Sequence, residues 1–149
     1  MIRTAQLKDA DAICHVIRRS IKELCKLDYQ GSETRLRSWL ENKTPANCAG
    51  WIEDARSNTF VAERQGQVVG VSHIGHNGHL HLCYVLPQFT GEGLGAQLLA
   101  AAENSVLELA AGRLTLESTL TARAFYEHHG YRCCGKTATC LEYVKHLAV

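Results

Sequence analysis

The sequence predicts a mixed α+β fold. Two observations carry the prediction: hydrophobic spacing switches between helical and alternating periods along the chain, and glycine- or proline-bearing turns fall at the switches. In order, the elements read β α α β β β α β α β β, without repeats, linkers or low-complexity stretches. At 149 residues, one domain over 1–149 is expected.

A short strand over 2–5 opens the chain. Ile13, Val16, Ile17, Ile21 and Leu24 then line one face of a helix that Asp9 is placed to cap. The segment from Asp28 to Pro45 is irregular and reads as a loop with a short helix near Glu33–Leu40; a second short helix is expected over Ala46–Ala55. From Asn58 the period becomes two. Thr59–Arg64 and Gln67–Ile74 flank Gln65-Gly66 as a hairpin, and Asn77-Gly78 turns into a third strand, His79–Val85, which Pro87 stops.

Leu94, Leu98, Ala102, Val106 and Leu109 keep one side of the next helix apolar to about Ala111, and Gly112 suits its left-handed end. Leu114–Glu117 is a strand. Thr121 is the expected cap of a helix ending at Gly130, with Leu120 and Phe125 as a hydrophobic staple. Two strands joined by a turn at Gly135-Lys136 complete the chain.

Composition narrows the function. Lys plus Arg is 16 and Asp plus Glu is 15, so no basic excess points to nucleic acid. The chain has no long apolar run for a membrane helix and no basic-then-apolar start, so a cytoplasmic, non-membrane protein is expected. The seven cysteines (14, 25, 48, 83, 133, 134 and 140) are odd in number and contain no C-x-x-C pair. Reduced thiols are therefore expected, with Cys133 and Cys134 as small, half-buried strand residues.

Gly91, Gly93 and Gly95 alternate between a strand end and a helix start. Glycine lets backbone N–H groups face outward, and a helix N-terminus adds partial positive charge, so together they suit a phosphate or pyrophosphate. The P-loop pattern is absent. Gly91, Gly93 and Ala96 formally meet the dinucleotide G-x-G-x-x-[GA] pattern, but too few βα units follow to build a doubly wound fold.

The stretch from Val85 through Pro87 and Thr90 to Gly91, Gly93 and Gly95 resembles the acetyl-CoA loop of the GNAT N-acetyltransferases, V-x-P, two residues, then [QR]-x-x-G-x-[GA]. Thr90 replaces the usual Gln or Arg. Downstream, Thr119, Ala122, Tyr126, Gly130 and Tyr131 resemble the family's N-x-x-A-x-x-x-Y-E-x-x-G-[FY] segment, with Thr119 in place of Asn. The resemblance implies a central, mostly antiparallel sheet of about six to seven strands, splayed between the fourth and fifth and flanked by helices. It implies acetyl-CoA as cosubstrate, held by Thr90, the main chain of Gly91, Gly93, Leu94, Gly95 and Ala96, and Thr119. N–H groups near Cys83, Tyr84 and Val85 would polarise the thioester, and Tyr126 would protonate the leaving thiolate. The family also includes homodimers formed through the C-terminal strands.

For the base, histidine titrates near neutrality. By the period-two rule His79, His81, Cys83 and Val85 share one face, with His73 and His76 projecting oppositely. His79 falls where histone-type members of the resembled family carry a catalytic Glu, so His79 or His81 is the candidate base. The histidines lack a zinc spacing, and no metal site is expected. Tyr29, Glu33 and Trp39 are candidate acceptor contacts, with Asp28 or Glu33 available for a cationic amine. The expected function is acetyl transfer to a primary amine, of a small molecule in the first instance. A protein or peptide amine, or a non-catalytic CoA-binding sensor, is the alternative.

Overall fold

The computed structural model describes residues 1–135 and 141–149. Among them, seven strands form one sheet in the order β1-β2-β3-β4-β5-β7-β6. The strands are β1 (Ile2–Thr4), β2 (Ser57–Arg64), β3 (Gln67–Gly75), β4 (His79–Val85), β5 (Arg113–Glu117), β6 (Arg132–Cys133) and β7 (Glu142–His146). Every pairing is antiparallel except β4 with β5. That parallel pair is short: it joins only His79 to Thr115 and Leu80 to Leu116, so beyond Leu80 the two strands diverge. The expected splay between the fourth and fifth strands lies there.

Helices cover both faces. On one side lie α1 (Ala10–Leu24), α2 (Lys26–Tyr29), α3 (Glu33–Leu40) and α4 (Pro45–Glu53); on the other lie α5 (Leu94–Val106) and α6 (Arg123–His128). The α1 stripe packs as its spacing dictates: Ile13, Val16, Ile17 and Ile21 are fully buried, whereas Leu24, at the last turn, is 38% exposed. The α5 stripe buries Leu94, Leu98, Ala102 and Val106, but the helix stops there, leaving Leu109 65% exposed. Gly112, at φ 75°, donates its N–H to Leu107 O as a left-handed helix end does.

Several local expectations are corrected. Asp9 sits at the α1 cap position without capping it; its carboxylate accepts from both Arg3 Nη atoms (2.8 and 3.0 Å) and from Gln6 N (2.7 Å). An ion pair with two parallel bonds outcompetes a single cap bond. Part of the expected loop after Asp28 is preceded by the four-residue α2, too short for a periodic signal. At α6, Ala122 rather than Thr121 occupies the cap position, and the Thr119 hydroxyl accepts from Ala122 N at 3.1 Å. Leu120 of the expected staple is 37% exposed. Cys133, on the edge strand β6, and Cys134, just beyond it, are exposed, and Cys133 is disulfide-bonded, against the all-reduced expectation. Lys136 of the expected last turn lies outside the described residues.

Candidate active site

The site grows from three departures from regularity around β4: a bulge in the strand, the gap beside it, and the glycine loop beyond its end. At the bulge, His73 pairs with Leu82 while Ile74 pairs with Leu80, so His81 is an extra residue on β4. Alternation resets there. His79 and His81 face the α1–α4 side, and so does Tyr84, which pairs with the core residue Val71. Cys83 faces α5, its thiol 3.7 Å from Gly95 O. The single face expected for His79, His81, Cys83 and Val85 is thus divided in two. The same bulge brings His73, expected to project away, against His81, with ring centroids 5.3 Å apart.

The β4 main chain is open towards the gap. Leu86 N donates to Val69 O at 2.8 Å, which fixes the alternation of bonds to β3. Leu82 and Tyr84 therefore bond to β3, while Cys83 and Val85 direct their N–H groups towards the diverging β5. The Val85 carbonyl on that side accepts from the buried Ser20 hydroxyl of α1 at 2.8 Å, which holds the splayed end in place.

In the glycine loop, Gly91 and Gly93 have φ of 81° and 82°, conformations that disfavour side chains. A Cβ at Gly91 would meet nothing within 4 Å, and one at Gly93 only Gln97 Nε2 at 3.9 Å, so the cradle is open. The first bond of α5 runs from Gln97 N to Gly93 O, which leaves the N–H groups of Leu94, Gly95 and Ala96 unused within the helix. Gly95 instead permits close packing: its Cβ position is 3.4 Å from the Phe125 ring. Thr90 turns its hydroxyl back onto Pro87 O at 2.9 Å. The cradle is suited to a pyrophosphate, and the open β4 edge to an extended chain with amide groups such as CoA carries.

Phe125 seats α6 on α5, and Tyr126 follows into the core, 7% exposed, beside Tyr131. The helix is tied down by Tyr143, whose hydroxyl donates to Glu127 at 2.9 Å and accepts from Arg123 Nε at 3.1 Å. Behind it, buried Glu103 of α5 accepts from Tyr131 Oη (2.8 Å) and from Lys145 Nζ (3.2 Å). The Tyr126 hydroxyl has no hydrogen-bond partner among the described residues. No fully enclosed polar side-chain atom there lacks one, so the phenol oxygen is not sealed off, and Cys83 and Tyr84 of β4 are among its neighbours. Burial first, then the neighbouring Cys83, raises its pKa well above the ordinary value. Burial likewise pushes the Cys83 thiol up to about 12.

On the other face, two adjoining cavities of about 420 and 470 Å³ share Trp39, His81 and Tyr84. Three imidazoles run along them, with His79 and His81 centroids 5.1 Å apart. The outer two are tethered: His73 Nδ1 lies 2.7 Å from Thr59 Oγ1, and His79 Nδ1 lies 2.8 Å from Thr115 Oγ1. His81 has no hydrogen-bond partner among the described residues and keeps an exposed edge. Partial burial, then His79, lowers its pKa; burial drives the enclosed His73 down to about 4. Both rings are therefore neutral at pH 7. Among the described residues no group of three or more His, Cys, Asp or Glu side chains could hold a metal.

Of the expected acceptor contacts, only Trp39 lines this cleft. Tyr29 is buried, donating to Lys22 O at 2.6 Å, and Glu33 lines a separate groove between α1 and α3. Asp28 does reach the cleft, but its carboxylate accepts from Leu120 N, Thr121 N and Thr121 Oγ1, joining α2 to the loop before α6. Thr119 lines the same cavity, with its hydroxyl oxygen engaged by Ala122 N. Asp28, Ser20 and Glu103 act through partners far away in the chain, and no local pattern marks them.

A loop for pyrophosphate, an open β4 edge and a tyrosine at the split describe a sheet built to hold an acyl-CoA. The acetyltransferase (GNAT) domain family matches residues 25–147. The chain belongs to this family, and its activity class is that of an N-acetyltransferase. It is 27% identical over 133 residues to the Escherichia coli N-acetyltransferase YafP, covering 88% of this chain and 80% of YafP. The fold is shared with a GCN5-related N-acetyltransferase from Rhodopseudomonas palustris (TM-score 0.86, 24% identity, covering 99% of this chain and 95% of that one). It is shared also with the PaiA N-acetyltransferase of Thermoplasma acidophilum, solved with coenzyme A (TM-score 0.84, 19% identity, 99% and 98% covered). No helix of the described residues is long and apolar enough to cross a membrane.

Proposed function

We propose that residues 1–149 form one acetyltransferase domain that moves the acetyl group of acetyl-CoA directly to the primary amine of a small molecule, in a ternary complex in the cytoplasm. The observation that carries this reading is the split between β4 and β5, with Tyr126 on its α5 side and the histidine-lined cleft on the other. The pyrophosphate lies on the N–H groups of Gly91 to Ala96. The pantetheine arm pairs with the free β4 edge, and the N–H groups of Cys83 and Val85 stabilise the developing oxyanion. The amine enters from the cleft and loses its proton to His81, directly or through water. His81 is favoured over His79 because its ring nitrogens are uncommitted. The amine attacks the thioester carbon, the carbon–sulfur bond breaks, and Tyr126 gives its proton to the departing thiolate. A phenol of raised pKa can do this because the same burial raises the pKa of a thiol there, as at Cys83.

The two cavities are small, about 420 and 470 Å³, and are bordered by Trp39, Tyr84 and Asp28, which favours a small acceptor over a protein chain. The test is a thermal shift with acetyl-CoA followed by thiol-release assays across amines and peptides. A ligand at 100 times its Kd adds about 2.7 kcal/mol of stability. Stabilisation by acetyl-CoA without release on any amine would mark a CoA-binding sensor instead.

A further inference from the structure

The larger charges around the acceptor cleft are unequally satisfied. The Asp54 carboxylate, which lines the 420 Å³ cavity, accepts from Arg56 N at 2.9 Å and Arg56 Nε at 3.3 Å. Asp28 is engaged by Leu120 and Thr121. Lys43 lines this cavity with Trp39 and Trp51, and also a neighbouring one with Asn42 and Asn47; it makes no ion pair among the described residues, and its ammonium donates to the exposed Asn42 Oδ1 at 2.7 Å and keeps two further donors. In the adjoining cavity Glu117 is exposed and has no ion pair among the described residues. An unpaired cation therefore stands in one cavity, an unpaired carboxylate in the other, and His81 is shared by both, with Trp39 and Tyr84 between them.

We propose that the acceptor is a primary amine that also carries a carboxylate: Lys43 holds the carboxylate, the apolar body lies against Trp39 and Tyr84, and the amine meets His81 from the side of Glu117. This deepens the acetyl-transfer reading and rests on it. A partly buried ammonium without a counter-ion is unfavourable, and a ligand carboxylate supplies the missing charge with strong, short bonds. Burial holds the Lys43 pKa below its ordinary value, the direction expected of an ammonium still lacking its anion. Glu117 draws in the protonated amine, which His81 then deprotonates.

Matched acceptors test this. Initial rates are compared for 6-aminohexanoate against hexylamine and for 4-aminobutanoate against butylamine. The carboxylate-bearing member should be favoured in kcat/KM by roughly tenfold or more. Lys43→Gln should collapse that ratio towards one, chiefly through KM, and Lys43→Arg should restore most of it. Equal or better use of the amines lacking a carboxylate, or a preference that survives Lys43→Gln, overturns the proposal. A second measurement does not need turnover: calorimetric titration of the CoA-saturated protein with 3-phenylpropanoate. Binding that Lys43→Gln weakens about tenfold supports the carboxylate site even if no amine is acetylated, in which case only the transfer reading fails. Absence of binding to the parent protein overturns the site whatever the rates show.

Discussion

Replacing Tyr126 by phenylalanine separates the proposed catalytic role of this buried tyrosine from a structural one. The ring is packed in the core at 7% exposure, against Phe125 and Tyr131, and phenylalanine fills the same space. The hydroxyl bonds to no group among the described residues, so its loss orphans no partner there. Stability should change by no more than about 0.5 kcal/mol, or about 1–2 °C in Tm for a chain of this length. Turnover should behave differently. A positioned general acid contributes about 10²–10⁴-fold, so kcat should fall by that factor, a barrier increase of about 3–5 kcal/mol. Acetyl-CoA affinity should be retained, since the cradle and the β4 edge are main chain. The assay is thiol release at saturating acetyl-CoA, with Kd from calorimetry and Tm from a thermal melt. Unchanged kcat would remove Tyr126 as the acid, and a Tm drop of several degrees would show that the hydroxyl serves packing.

Other outcomes follow from the same geometry. His81→Ala should reduce kcat more than His79→Ala. It should also abolish the acid limb of the pH–rate profile, because the neutral imidazole is the active form and is lost as pH falls through a value below the usual 6.5; identical profiles for parent and variant would exclude His81 as base. Asp9→Asn should destabilise by about 1.5–3 kcal/mol at pH 7, read by denaturant melts. The Arg3 guanidinium holds the Asp9 pKa below its ordinary value, so the native contribution is full above the unfolded pKa and is lost as pH falls through the folded one. The two proteins should converge at low pH. Gly78→Ala should lower Tm by several degrees: φ is +90°, and the new Cβ would press on Arg113 O and sit 2.8 Å from Ala110 Cβ. Gly93→Ala meets open space, so its cost is conformational, about 1–2 kcal/mol, and should be read mainly as weaker acetyl-CoA binding.

Much of the fold was legible because its signals are local. The α1 stripe, Gln65-Gly66, Asn77-Gly78 and the bounds of β4 each follow from a few neighbouring residues. So does the glycine loop, since the N–H groups proposed to hold the anion belong to the backbone that those glycines shape. The acceptor side was less legible. Period-two alternation placed Cys83 with the histidines, and one bulge residue in β4 put them on opposite faces. Tyr29 and Glu33 lie close in sequence to Trp39, yet one is anchored beneath α1 and the other faces a different groove.

The sequence by itself determined the succession of strands, the glycine loop and the tyrosine beyond it, because each is written in spacing along a single segment. Only the tertiary structure decided which histidine is uncommitted, which charges of the cleft lack ion pairs among the described residues, and where β4 and β5 diverge. Those depend on pairs such as Asp28 with Thr121, Ser20 with Val85 and His73 with His81, separated in the chain and joined by packing. Long-range contacts of this kind leave no period behind them, since either partner alone reads as an ordinary helix, loop or strand residue.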